Sequence, residues 1–274
     1  MKGIFRITHG NVSIIMASHM INEINGINQM GVMDWLEAEN ILEKCSSPHR
    51  KTLLHNFIEN VYYFDIEYIL DKHFPMSVIN DLAEILDFYN VDYSSLGTFN
   101  LFDKTDEDIN SEDLEEAEDY AWRMFKLYEY KLMPIVVDDI FSILYSNKVF
   151  LNEFNKQISS SIIDMTMDEY PDIFKKDGVI SRCSYIPQWL KQGVFHRDKG
   201  RCQICGTDLT KVLNLDNKEN YDHIIPLENG GTNDPTNFQL TCESCNKSKG
   251  ARSNKYNNIS SRFWDLENYE MFKG

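Results

Sequence analysis

At 274 residues the chain exceeds one ordinary domain, and its 42% hydrophobic and 12% aromatic content excludes a disordered polymer. Its net charge of −16 excludes a uniformly basic nucleic-acid binder. The acid is unevenly placed. Residues 1–180 carry 14 basic and 32 acidic side chains, net −18, whereas 181–274 carry 13 and 11, net +2. No stretch reaches the roughly 18 apolar residues of a membrane span. The opening MKGIFRITHGNVSIIMASHM is broken by Arg6, His9 and Asn11 and lacks an export signal's apolar core. A reducing cytoplasm is therefore expected, in which the six cysteines would not form a disulfide framework.

In chain order, the first two-thirds read as helices. Val32, Trp35, Leu36, Ile41, Leu42 and Cys45 recur at helical spacing until Ser46-Ser47-Pro48. Leu54, Phe57, Ile58, Val61, Tyr68 and Ile69 predict a second apolar face, broken at Pro75. A third helix is expected from Ser77 with Val78, Ile79, Leu82, Ile85, Leu86 and Tyr89. Ser111 is the expected cap of a fourth, carrying Leu114, Ala117, Ala121, Phe125, Tyr128 and Leu132. Apolar clusters continue the helical pattern through 135–165. The acidic run DEDINSEDLEEAEDY admits two readings: carboxylates favoured by a helix N-terminal dipole, or a surface that mimics nucleic acid or docks a basic partner. Two prolines, a glycine and the change of composition place a domain boundary within 170–187.

The C-terminal third carries the chemistry. Cys202-Gln-Ile-Cys205 and Cys242-Glu-Ser-Cys245 are two sulfur pairs, each on a turn that can chelate one ion. Four thiolates suit tetrahedral Zn²⁺, and a closed sulfur shell leaves no open position, so the expected role is structural. Cys45 and Cys183 have no such partner and read as free thiols. Between the pairs, YDHIIPL predicts a strand carrying Asp222 and His223 and ending at Pro226, and NFQLTC predicts its return. ESCNKSKG predicts a short helix carrying Asn246 and ending at Gly250. Successive strand residues face opposite ways, so Asp222 and His223 share one site only if the strand is twisted or bulged, or one acts through its edge.

The segment DHIIPL, GGTNDPTN and CNKSK, preceded by VFHRDKGRCQICG, resembles the HNH endonuclease family over about 182–255. The matching residues are Asp222, His223, Asn237 and Asn246. The resemblance implies a ββα-metal fold, phosphodiester hydrolysis and DNA as substrate. It also implies His223 as general base, Asp222 and Asn246 as catalytic-metal ligands, and Asn237 as the brace of the loop. Such chemistry needs an activated water and charge stabilisation at phosphate, which an imidazole near its neutral pKa and hard oxygen ligands can supply. Asn246 stands where many members have histidine, which shifts the expected metal from Zn²⁺ toward Mg²⁺ or Mn²⁺. Lys247, Lys249 and Arg252 are expected to contact DNA phosphates.

The chain thus reads as a mainly α N-terminal domain, residues 1–175, plus a small α+β HNH (ββα-metal) domain with a structural zinc knuckle pair, residues 182–274. The acidic helical domain is expected to regulate or recognise, through a protein partner or self-association, and by its charge to restrain DNA binding. By analogy, such fusions resemble bacterial or phage nucleases of defence systems and mobile elements. Two other readings stay open: an idle zinc-stabilised module that binds nucleic acid or protein, and a toxin that cleaves RNA.

Overall fold

A computed structural model describes residues 11–24, 35–36, 41–72, 74–102, 104, 108–212 and 215–250. Val32, Arg252 and the side chain of Ile69 lie outside the described set. The chain forms two compact units, Met1–Asn22 with Leu54–Leu144, and Glu23–Leu53 with Tyr145–Gly274. The boundary expected within 170–187 falls inside the second unit. No helix among the described residues is long and apolar enough to cross a membrane.

The first unit is helical: α1 (Asn11–Glu23), α2 (Leu53–Lys72), α3 (Pro75–Phe88), α4 (Ser111–Lys131) and most of α5 (Met133–Ser146). The helix α1 has no counterpart in the sequence reading. Pro75 begins α3 rather than merely ending α2, because a first-turn proline forfeits no helical hydrogen bond. The cap of α4 is Asn110, one residue before Ser111. Its side chain accepts from the amides of Glu112 and Asp113, and Asp113 answers in a capping box. The expected faces of α3 and α4 are buried at Val78, Ile79, Leu82 and Leu86, and at Ala117, Ala121, Phe125 and Tyr128. Tyr68, expected on the buried face of α2, is exposed.

The second unit carries the cysteine pairs and the Asp222-His223 motif. It comprises α6 (Lys148–Ile162), β1 (Phe174–Lys176), β2 (Val179–Ile180), α7 (Gln188–Arg197), β3 (Glu219–His223), β4 (Phe238–Cys242) and α8 (Glu243–Lys249). Trp35, Leu36, Ile41, Leu42 and Cys45 are buried, but Leu42–Cys45 is a 3₁₀ turn rather than part of a long helix. The β1–β2 hairpin was not foreseen, since five strand residues around Asp177-Gly178 are too few for an alternating pattern. Strands β3 and β4 pair antiparallel in unbroken register, from Glu219 opposite Cys242 to His223 opposite Phe238.

The core beneath them joins Leu190 and Val194 of α7 to Cys202, Leu209, Phe238, Leu240 and Cys242. Fully burying a side chain such as Phe238 or Leu240 contributes about 1.5–3 kcal/mol. A buried ion pair orients α7 on this core. Arg197 makes two bonds to Asp198, at 2.8 and 3.1 Å, and donates to the Phe238 carbonyl at 2.6 Å. Asp198 in turn accepts from the Leu240 amide at 2.7 Å. The Gly230-Gly231 turn returns the chain from β3. A Cβ at Gly230 would lie 2.5 Å from the Ser159 carbonyl oxygen, and one at Gly231 would lie 2.0 Å from that of Ile225. Only glycine permits both approaches.

Candidate active site and zinc centre

The four cysteines meet. Cys202 and Cys205 sit on one turn, closed by the Gly206 amide on the Cys202 carbonyl and the Cys202 amide on the Thr207 carbonyl, both 2.9 Å. Cys242 ends β4 and caps α8, and Cys245 lies in the first turn of that helix. All four sulfurs fall within 4.8 Å of one another, a cluster that could hold a metal ion. Burial pushes the Cys242 thiol up, but Ser244 and the neighbouring cysteines pull it down to about 6. Cys245 is pushed up by burial and by the other sulfurs. Sulfurs this close repel one another as thiolates, and a divalent cation relieves that repulsion. The donor set fits zinc, and Cys202, Cys205, Cys242 and Cys245 would hold it. Cys45 and Cys183 are free thiols away from this cluster.

Asp222 and His223 are the last two residues of β3, and no bulge interrupts the strand. They reach one place because the site lies off the strand's end. A cleft of about 270 Å³ is lined there by Asp222, His223 and Asn246, with Lys175, Arg182 and Glu228 around them. His223 is 2% exposed, with its ring centroid 4.5 Å from that of Phe238. Its Nε2 lies 3.2 Å from Asn233 Oδ1. The Asn233 amide nitrogen is committed to two carbonyls, Ser46 at 2.9 Å and Ser181 at 2.7 Å, so Oδ1 must be the acceptor. Nε2 therefore carries the proton and Nδ1 the lone pair. Nδ1 is buried with no hydrogen-bond partner among the described residues. Burial and the Arg182 charge, with Lys249 adding to them, push the imidazole down to about 3 against the opposing Asn233 bond. The ring is neutral at physiological pH.

Asn237 is fully buried and spans the loop. Its Oδ1 accepts from the Ile225 amide at 2.8 Å, and its Nδ2 donates to the Ile225 and Thr232 carbonyls at 3.0 and 2.9 Å. Its carbonyl takes the Ile224 amide at 2.6 Å, directly after His223. Asn237 does not touch the cleft; it fixes the backbone on both sides of the turn.

The three expected phosphate contacts divide. Lys247 is exposed and pairs with Glu243 at 2.7 Å, one helical turn away. Lys249 is 4% exposed and lies under the site instead of on the surface. Its ammonium sits 2.7 Å from Asp222 Oδ2, so it does not present to a duplex phosphate. Arg252 is outside the described residues. The cleft supplies other cations: Lys175 of β1 and Arg182 are exposed at its rim, without an ion pair to another described residue. Sequence reading missed them because neither falls within the motif. It missed Asn233 because its partners, Ser46 and Ser181, are remote in the chain.

Asp222 Oδ1 has no hydrogen-bond partner among the described residues, and Asp222, His223 and Asn246 line the same cleft. The oxygen donors fit a hard divalent cation such as Mg²⁺ or Mn²⁺, which Asp222 and Asn246 would hold. A two-stranded antiparallel hairpin, a helix packed across it and a four-cysteine cluster form a small ββα fold with a zinc-knuckle pair. Residues 202–252, from the first knuckle through α8, match the family model for HNH endonuclease. This part of the chain is similar to an HNH endonuclease domain, which supports a nuclease in general. No curated protein and no solved structure matches the chain.

Proposed function

We propose that the protein is a metal-dependent DNA endonuclease in which His223 is the general base. The observation that carries this reading is the state of His223: neutral, anchored through Nε2 to Asn233, with an unshared Nδ1 lone pair, on a residue that lines the same cleft as Asp222 and Asn246. A base must be deprotonated, oriented and within reach of the water it activates. Nδ1 accepts the water's proton while Asn233 keeps the ring from turning. Asp222 and Asn246 would hold a divalent ion, which when bound would supply Lewis-acid stabilisation of the charge that develops on the phosphate. Lys175 and Arg182 neutralise the flanking phosphates and orient the scissile group. Attack on phosphorus with loss of the 3′ oxygen leaves a 5′-phosphate and a 3′-hydroxyl.

The test is cleavage of supercoiled plasmid with Mg²⁺ or Mn²⁺ beside an RNA of matched sequence. His223→Ala should abolish DNA cleavage while keeping the native circular dichroism and one zinc per chain. Undiminished cleavage by that variant removes the base assignment. Preferential cleavage of the RNA removes DNA as the substrate.

A further inference from the structure

We propose that Lys249 is a tethered cation that competes with the divalent metal for Asp222, and so sets the metal affinity of the nuclease site. The proposal rests on the metal-dependent reading above and adds a residue that this reading does not use.

Lys249 is the last residue of α8, and its position differs from that of a lysine that scans for phosphate. Its side chain is 1% exposed, and its ammonium bonds Asp222 Oδ2 at 2.7 Å. The same nitrogen donates to the His223 carbonyl, and lies 3.4 Å from that of Ile224. An ammonium has three protons, and here three oxygens face it. The group is therefore satisfied in place. Those oxygens come from a carboxylate and two successive main-chain carbonyls, hard ligands of the kind that surround a metal ion. Lys249 occupies the position of a monovalent substitute.

Charge makes this consequential. Two carboxylates line the cleft among the described residues, Asp222 and Glu228, and each is paired with a lysine. Glu228 lies 2.7 Å from Lys176, and Asp222 has Lys249. With Lys175 and Arg182 also at the rim, the cleft attracts phosphate but resists a divalent cation. A metal approaching the free oxygen of Asp222 meets the Lys249 charge across one carboxylate, at a distance where like charges repel strongly in a partly buried site. Metal entry then drives the ammonium off Oδ2. Removing the ammonium while keeping the stem's length and apolar volume, as in Lys249→Met, leaves Asp222 with its full charge for the metal.

The experiment uses the full chain with its zinc in place and Mn²⁺ as the probe. Mn²⁺ affinity is measured by electron paramagnetic resonance for wild type, Lys249→Met and Asp222→Asn. The expected result is binding about tenfold tighter or more in Lys249→Met than in wild type, and none at this site in Asp222→Asn. On wild type itself, the lysines are acetylated with and without Mn²⁺ and read by mass spectrometry, with exposed Lys247 as internal standard. Lys249 should resist labelling without Mn²⁺ and gain it with Mn²⁺. This second measurement decides the question if Lys249→Met does not fold. Equal or weaker Mn²⁺ binding in the folded variant overturns the proposal, as does labelling of Lys249 that Mn²⁺ does not change. Wild-type binding that depends on Asp222 but is not tightened in Lys249→Met overturns this proposal alone. Absence of Mn²⁺ binding in both wild type and Lys249→Met overturns the metal-dependent reading with it.

Discussion

Asn233 makes four side-chain hydrogen bonds, accepting from His223 Nε2 and the Cys183 amide and donating to the Ser46 and Ser181 carbonyls. In the proposed mechanism it positions the base, because it is absent from the cleft lining and bonds the imidazole. Asn233→Ala should lower kcat by about 10–100-fold while changing KM little, the size of effect that supporting hydrogen bonds usually carry. Steady-state kinetics on a short duplex checks the split, and a loss confined to KM would contradict the positioning role. Burial gives a pH prediction. Because His223 is held down at about 3, its neutral form persists well below pH 6.5. Cleavage should therefore hold between pH 6.5 and 5, where an exposed imidazole base would fail. The stability effect has a definite sign. The unfolded histidine binds a proton near 6.5 and the folded one only near 3, so stability falls as pH drops through that window. Urea unfolding at pH 7 and pH 5 should show this fall in wild type and a smaller one in His223→Gln. At this scale, Asp222, His223, Asn237 and Asn246 were legible as a motif because their types and spacing stand close together in the chain. The roles of Asn233 and Lys249 were not, because each is defined by partners that only folding brings near.

At the scale of elements, the second cysteine pair joins strand to helix. Cys242 is the last residue of β4 and the cap of α8, and Cys245 is one turn on, so a bound ion pins the helix that carries Asn246 and Lys249. A seven-residue helix is too short to hold itself in water. Cys205→Ser should therefore abolish zinc retention, lower the thermal stability of the second unit and silence cleavage, although Cys205 does not line the cleft. Elemental analysis, thermal unfolding and the plasmid assay should move together. Full cleavage by zinc-free protein would show that the helix is held by packing alone. The pairing of Arg197 with Asp198 offers a second check. Arg197→Met leaves Asp198 buried without its cation, at a cost of about 3–5 kcal/mol in urea unfolding. The β3–β4 hairpin and α8 were legible because strand patterning, the double glycine and the cysteines all agree, although β3 ends at His223 and not at Pro226. The cap at Asn110 was misplaced by one residue because asparagine and serine are equally good caps, and only the bond geometry separates them.

At the scale of the whole molecule, composition alone places a boundary within 170–187, yet the second unit also takes in Glu23–Leu53 and α6. The reason is a set of buried polar groups whose partners lie outside the motif. Asp234 is buried and accepts from the Leu53 amide at 2.8 Å, and from the amide and hydroxyl of Thr236 at 2.9 and 2.6 Å. The Asn233 amide donates to the Cys45 carbonyl at 2.8 Å, and Asn155 of α6 donates to the Thr236 carbonyl at 3.2 Å. A buried polar group that loses its partner costs about 1–3 kcal/mol, and more if charged. The piece 181–274, cut out to relieve the −18 charge of residues 1–180, would lose several of these bonds at once. It should unfold at lower urea than the second unit of the full chain and cut DNA more slowly, even at low salt where relief from acidic repulsion would be greatest. Asp234→Ala in the full chain should reproduce part of that loss while leaving every charge within 106–119 in place. Faster cutting by the excised piece, with equal stability, would mean that electrostatic restraint outweighs the bracing by residues 42–53 and α6.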